Sequence, residues 1–191
     1  MQCVNDSVNW NVDVTMRSVL LFSILLAAVP ACSPNRPVAN LKFVEATNSG
    51  SHIRIHYQSD TDFDSVVDRA GKRKVVTTRL RCALEEDQDF SVGHIIERYG
   101  EGQDIKEEVF SKTIIGYIAT MYFFETFNKD TTRRYISGEE LRVILGRREK
   151  IPCKVVMTIY LSRPYYSATM WIPSSEILKA LPQDFSMPIG H

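Results

Sequence analysis

No GxSxG, no HExxH and no phosphate-cradling glycine loop occurs in this sequence. Hydrolases with a nucleophile elbow, zincins and P-loop enzymes are therefore left without their signatures. Neither Cys82 nor Cys153 has a neighbour at CxxC spacing, which removes the usual structural zinc site. An excess of one charge is lacking too. Twenty-three basic residues balance twenty-three acidic ones, so the whole chain has no electrostatic bias toward nucleic acid or anionic lipid. There is no internal repeat and no low-complexity tract. What remains, with 44% hydrophobic and 10% aromatic residues, is the composition of a globular domain of ordinary size.

The amino terminus carries the first positive signal. From Met16 the chain reads "MRSVLLFSILLAAVPAC": a basic n-region at Arg17, a short apolar stretch from Ser18 to Val29, then the small-residue step Val29-Pro30-Ala31. That is the anatomy of a secretory signal peptide. A dozen apolar residues span only ~18 Å as a helix, against a hydrocarbon core of ~30 Å, so the run is too short for a permanent transmembrane helix. The preceding "MQCVNDSVNWNVDVT" carries Asp6 and Asp13 and no basic residue, which is wrong for an n-region. Translation is expected to start at Met16, with residues 1–15 outside the translated protein.

The step "VPAC" resembles the lipobox of bacterial lipoproteins, in which a small-residue tripeptide precedes an invariant cysteine. Val29 and Ala31 match the pattern; Pro30 departs from the commoner small or aliphatic residue. The resemblance covers residues 16 to 33. It implies that Cys32 carries a diacylglycerol thioether, becomes the new N-terminus and is acylated on its amine. Ordinary signal peptidase also accepts Val-x-Ala and would cut the same bond without leaving an anchor. Each buried methylene contributes ~0.8 kcal/mol, so two or three acyl chains hold far more firmly than one. Ser33 stands where, in such lipoproteins, aspartate favours inner-membrane retention, so the expected location is the periplasmic leaflet of the outer membrane. Residues 32–40 then form a lipidated tether, kept extended by Pro34 and Pro37. Residues 41–191 are expected to make a single β-rich periplasmic domain.

If Cys3 is not translated and Cys32 is acylated, Cys82 and Cys153 remain in a compartment that permits disulfides. Each lies within a strand-like run, "VVTTRLRCAL" and "PCKVVMTIYL", and on its apolar face. A bridge, cross-strand or between sheets, is expected; the alternative is two buried free thiols.

The fold class expected is α+β, mainly β: an antiparallel, sandwich-like domain with short helices. "SHIRIHYQ" alternates Ile53, Ile55 and Tyr57 against His52, Arg54 and His56. Residues 76–84 alternate Val76, Thr78, Leu80, Cys82 and Leu84 against Thr77, Arg79 and Arg81. Residues 153–173 read as a hairpin with Pro164 in its loop. Ser174 is the expected N-cap of a short helix that stops at Pro182. Ser137 and Glu140 have capping-box spacing for a helix over 138–145, with Gly146 at its end. The run "IIGYIATMYFFETF", 114–127, is rich in β-branched and aromatic residues and reads as one strand, or as two broken near Ala119.

Candidate sites are few. Asp60, Asp62 and Asp64 have the spacing that begins a calcium loop, but Ser65 replaces the required glycine and no glutamate closes it; a solvated turn is expected. His52 and His56 stand roughly 13 Å apart along an extended strand, too far to share a metal. His94 and Glu97 lie close in sequence but lack a nucleophile or metal to act on. "AGKRK" with Arg79 and Arg81 forms a basic strip, and "EEDQD" with Asp104, Glu107 and Glu108 an acidic counterpart. The aromatics Tyr122, Phe123, Phe124, Phe127, Tyr165, Tyr166 and Trp171 are expected mainly in the core, with interface residues on the outer face of the hairpin. Tyr and Trp dominate binding hot spots, so Trp171, Tyr165, Tyr166, Arg79 and Arg81 are the expected protein-binding residues.

The expectation is a non-catalytic, lipid-anchored envelope protein without cofactor or metal. Its β-rich domain would bind another protein and no nucleic acid. It would serve as a component of an envelope or secretion assembly, or as an inhibitor or immunity protein against a periplasmic effector. The alternative is a carrier or chaperone for a lipid or small apolar ligand.

Overall fold

The computed structural model describes residues 37–68, 75–111, 114–127, 132–160, 163–182 and 185. The expected signal peptide, Cys32, most of the tether and "AGKRK" lie outside these residues. The described chain runs β1 (Leu41–Ser49), β2 (His52–Ser59), α1 (Phe63–Asp68), β3 (Val75–Ala83), β4 (Arg98–Ser111) and β5 (Ile114–Phe127). It continues with β6 (Thr132–Tyr135), α2 (Gly138–Gly146), β7 (Lys150–Ile159), β8 (Tyr165–Tyr166), β9 (Met170–Pro173) and α3 (Ser174–Ala180). All of the described residues belong to one compact unit, 36–191.

Period-two alternation sorts the strands as their sequences require. In β2, Ile53, Ile55 and Tyr57 are buried while Arg54 is exposed. In β7, Cys153, Val155, Met157 and Ile159 all point into the core. The long apolar run 114–127 is one unbroken strand rather than two. Ala119 is paired on both sides, with Ile55 of β2 and Asp104 of β4, so the ladder passes through it without a break.

Every strand joins one antiparallel sheet along the path β1-β2-β5-β4-β3-β7-β8, with β6 on β5 and β9 on β7. The sheet doubles back until its ends meet. The Ala168 N–H donates to the Ala39 carbonyl at 2.8 Å, while the Tyr165 hydroxyl accepts from the Ala39 N–H at 2.8 Å and donates to the Pro37 carbonyl at 2.9 Å. Its inner faces therefore confront one another across a common core, which Leu141 and Leu145 of α2 and Ile177 of α3 help to fill. Each fully buried Ile, Leu or Phe contributes ~1.5–3 kcal/mol. The fold is α+β and mainly β, antiparallel and sandwich-like with short helices, as the alternation predicts.

Two local expectations meet different outcomes. Ser137 caps α2 through a complete capping box: its hydroxyl accepts from the Glu140 N–H at 3.3 Å, and the Glu140 carboxylate accepts from the Ser137 N–H at 3.0 Å. Ser174 does not cap α3. Pro173 holds the cap position, the end of β9 runs straight into the helix, and the Ser174 N–H donates to the Glu149 carbonyl. Its hydroxyl is left buried without a partner.

Cys82 and Cys153 stand directly opposite each other on β3 and β7 and are joined by a disulfide, a cross-strand bridge on the core face. It spans 71 residues of sequence, which chain-entropy reasoning values at roughly 4 kcal/mol. The double variant Cys82→Ala/Cys153→Ala should lose about 4 kcal/mol in urea unfolding, and reduction of the native protein should lower its midpoint in the same direction.

On β4 two glycines lie on the core face. Gly100 pairs with Phe123 and Gly102 with Met121, so the two large side chains of β5 lie over bare backbone. A Cβ on Gly102 would come within 2.6 Å of the Thr120 carbonyl oxygen and 2.8 Å of the Met121 sulfur. Backbone cannot move aside as a side chain can. Gly102→Ala is expected to cost about 2 kcal/mol by overpacking, read as a drop in ΔG of unfolding with the strand content retained.

Candidate functional site

Cross-strand register lays out the outer face of the sheet in rows. Arg81 pairs with Lys154 on one side and Glu101 on the other, and Glu101 with Tyr122. One row along, Arg79 pairs with Val156 and Gln103, and Val156 with Tyr166. Towards the other end, Tyr99 pairs with Phe124 and Phe124 with Tyr135, while Trp171 pairs with Pro152. Four of the five residues expected to bind a partner, Arg79, Arg81, Tyr166 and Trp171, therefore share one face.

Tyr165 does not. It is 4% exposed and points inward, where its hydroxyl ties the ends of the sheet together. Adjacent residues of a strand face opposite ways, so Tyr165 and Tyr166 could never both serve one surface.

A second, smaller core sits on this outer face. Phe90 and Ile96, from the connection 84–97, pack on Ala83, Tyr99, Phe124 and Val156. The connection is secured at several points. The Tyr166 hydroxyl accepts from the Val92 N–H at 2.8 Å, and the Thr126 N–H donates to the Glu97 carbonyl at 2.8 Å. Trp171 lies at the far end of the face with the Lys150 ammonium 5.0 Å from its ring, apart from the arginines.

Beside that connection the face is hollowed by two adjoining depressions of about 400 Å³ each, and Arg79 and Glu101 line both. Glu101 forms ion pairs with Arg79 and, at 3.1 Å, with Arg81 Nε. Arg81 also lies over the Tyr99 ring at 5.0 Å, and Arg133 over the Phe124 ring at 5.0 Å. Tyr135, 39% exposed, leans on Phe124 with centroids 4.9 Å apart, and Tyr122 meets the His52 ring edge-on at 4.9 Å. Two of the three arginines, Arg81 and Arg133, thus lie over aromatic rings, and Glu101 is the carboxylate among the lining residues. Such cation–π contacts hold a guanidinium flat while its N–H edge remains available.

His94 lines the first depression along with Thr77 and Thr158. Its ring is taken by Asp87 at 2.7 Å, with Asp89 at 3.6 Å, rather than by Glu97. The hydrogen bond to Asp87 raises its pKa. Among the described residues the imidazole hydrogen-bonds to Asp87 and to no hydroxyl. Two of the three aspartates of "SDTDFD" are already partnered. Asp60 accepts from the Asn40 N–H and side-chain amide, and Asp62 from the Lys106 ammonium at 2.8 Å. No group of ligating side chains suited to a metal occurs among the described residues.

Sequence reasoning missed the edge strand β6 and with it Arg133 and Tyr135. The alternation of "TRRY" is only four residues long, too short to stand out. It also missed a chain of charges on the opposite face. Glu125, with a side chain 4% exposed, accepts from Arg98 at 2.7 Å and pairs with Arg134. Arg98 goes on to Glu85 at 2.8 Å, and Arg134 to Glu140 at 2.8 Å, which also caps α2. Arg134 holds the Glu140 carboxyl down at about 2. This network clamps α2 to the sheet, with a hollow of about 340 Å³ beside it.

Asp104 leaves the acidic surface strip altogether. On β4 it shares a face with Gly100 and Gly102, and both of its carboxylate oxygens are closed off from solvent without a hydrogen-bond partner. Burial raises its pKa to about 7; the Tyr57 hydroxyl and the Leu80 backbone pull the other way without reaching good hydrogen-bond geometry.

Comparison with known proteins returned no match: no protein-family model, no curated protein and no solved structure resembles this chain.

The buried acid sets a pH dependence. An unfolded aspartate releases its proton near pH 4, whereas Asp104 holds its proton to about 7. Between these values the folded state carries the extra proton, so stability falls as pH rises from about 4 to about 7 and then levels. Urea midpoints at pH 5 and pH 8 should differ in that sense for the native chain, and the difference should shrink in Asp104→Asn.

Proposed function

We propose that this protein is a lipid-anchored cell-envelope lipoprotein whose β-rich domain binds another protein and carries out no catalysis. The observation that carries the binding reading is the outer face: Arg79, Arg81 and Tyr166 lie beside Arg133, Tyr135 and Tyr122, and Tyr and Arg are the residues on which binding energy concentrates. The anchor rests on "VPAC" and on the signal-peptide anatomy before it. The disulfide fits an oxidising compartment such as the periplasm. Attachment through Cys32 would hold the domain by a short tether at the periplasmic leaflet of the outer membrane. Within this reading the protein is a component of an envelope assembly or an inhibitor of a periplasmic effector.

Palmitate labelling of cells is expected to mark the native protein and to leave Cys32→Ser unmarked. The variant should also move from the membrane to the soluble fraction; equal labelling and equal membrane retention of the two would remove the anchor. Affinity capture from solubilised membranes separates the two roles. Many structural subunits in the complex indicate the assembly, and a tight one-to-one complex with a single effector indicates the inhibitor.

A further inference from the structure

The two outer-face depressions are lined by three arginines, Arg79, Arg81 and Arg133, and by one carboxylate, Glu101. Guanidinium groups thus outnumber carboxylates among these lining side chains, while His94 on the rim is matched to Asp87 and Asp89. Glu101 is shared by Arg79 and Arg81, and Arg133 makes no ion pair among the described residues. Arg79 keeps most of its five N–H donors unspent, and its side chain is 44% exposed. Between these cations the floor is aromatic, with Tyr135 against both Tyr122 and Phe124.

We infer that this groove is the docking site for an acidic segment of a protein partner, in which carboxylates flank an apolar or aromatic side chain. The inference rests on the protein-binding reading above and gives the partner its chemistry. Guanidinium groups take carboxylates in paired hydrogen bonds, and Arg133 already lies over the Phe124 ring. The ring or aliphatic side chain between the carboxylates enters the hollow against Tyr122 and Tyr135. A surplus of guanidinium over carboxylate along the groove matches an acidic segment. It does not match a phosphate backbone, which needs a continuous row of cations. The rings are also no platform for bases: Phe124 is 8% exposed and lies under Arg133.

The test uses the full chain in its own envelope. A photo-crosslinking phenylalanine analogue replaces Tyr135, or Trp171 as a distant site on the same face, and the crosslinked partner residues are mapped by mass spectrometry. Crosslinks from position 135 should fall within a stretch of partner rich in Asp and Glu. Adding Arg133→Glu should reduce their yield at least fivefold, with circular dichroism unchanged, and Arg133→Lys should stay within about twofold of the parent. The inference is overturned if position 135 captures neutral or basic segments, glycan or lipid, or if Arg133→Glu leaves the yield as it was. Capture of a protein from position 171 but not from 135 also sinks the groove while leaving the protein-binding reading intact. Silence at both positions sinks the two together.

Discussion

In a β-sheet a slip of one residue exchanges the two faces, so whatever holds register decides which side chains meet solvent. Here register is held between β4 and β5 by bulk on one strand against its absence on the other. Phe123 and Met121 fill the core only because Gly100 and Gly102 lie opposite them. The disulfide pins β3 to β7 in the same way, with Cys82 and Cys153 opposed on the core face. With those two ladders set, Arg79, Arg81 and Glu101 face outward together, and so do Tyr122, Phe124 and Tyr135.

The outer face is not left open to water along its whole length. The connection 84–97 seals Tyr99, Phe124 and Val156 under Phe90 and Ile96, giving the sheet apolar cover on both sides at that point. Burial on both faces explains why β5 lacks clean alternation and reads as a continuous apolar run. The uncovered remainder is where aromatic rings and arginines share a surface, with Arg81 and Arg133 over rings and Arg79 paired to Glu101. Charges on the inner side serve a different end: Glu125, Arg98, Arg134 and Glu140 hold α2 to the sheet, and Asp104 sits in the core as an acid with no partner.

Much of the architecture was legible because it rests on local pattern. Period-two alternation marked β2, β3 and β7 and put both cysteines on apolar faces. Capping-box spacing marked α2, and Pro164 marked the turn of the 153–173 hairpin. The failures have local causes too. Ser174 looked like a cap because its residue type favours one, but Pro173 already ends the strand and begins the helix. Asp104 looked like a surface acid because acids usually are exposed, and only its pairing with Ala119 shows it facing the core. Tyr165 and Tyr166 looked alike, yet the pleat turns one inward and the other outward.

The amino-acid sequence by itself determined the strand alternation, the helix α2 and the apolar placement of the cysteines, because each depends on neighbours a few residues apart. Only the tertiary structure decided which strands lie side by side, and hence that Arg79 meets Glu101 and that Arg133 and Tyr135 close the same groove. Those contacts join residues as far apart as 79 and 135, and the pairing that unites them is a property of the order β3-β4-β5-β6 in the sheet rather than of any stretch of chain.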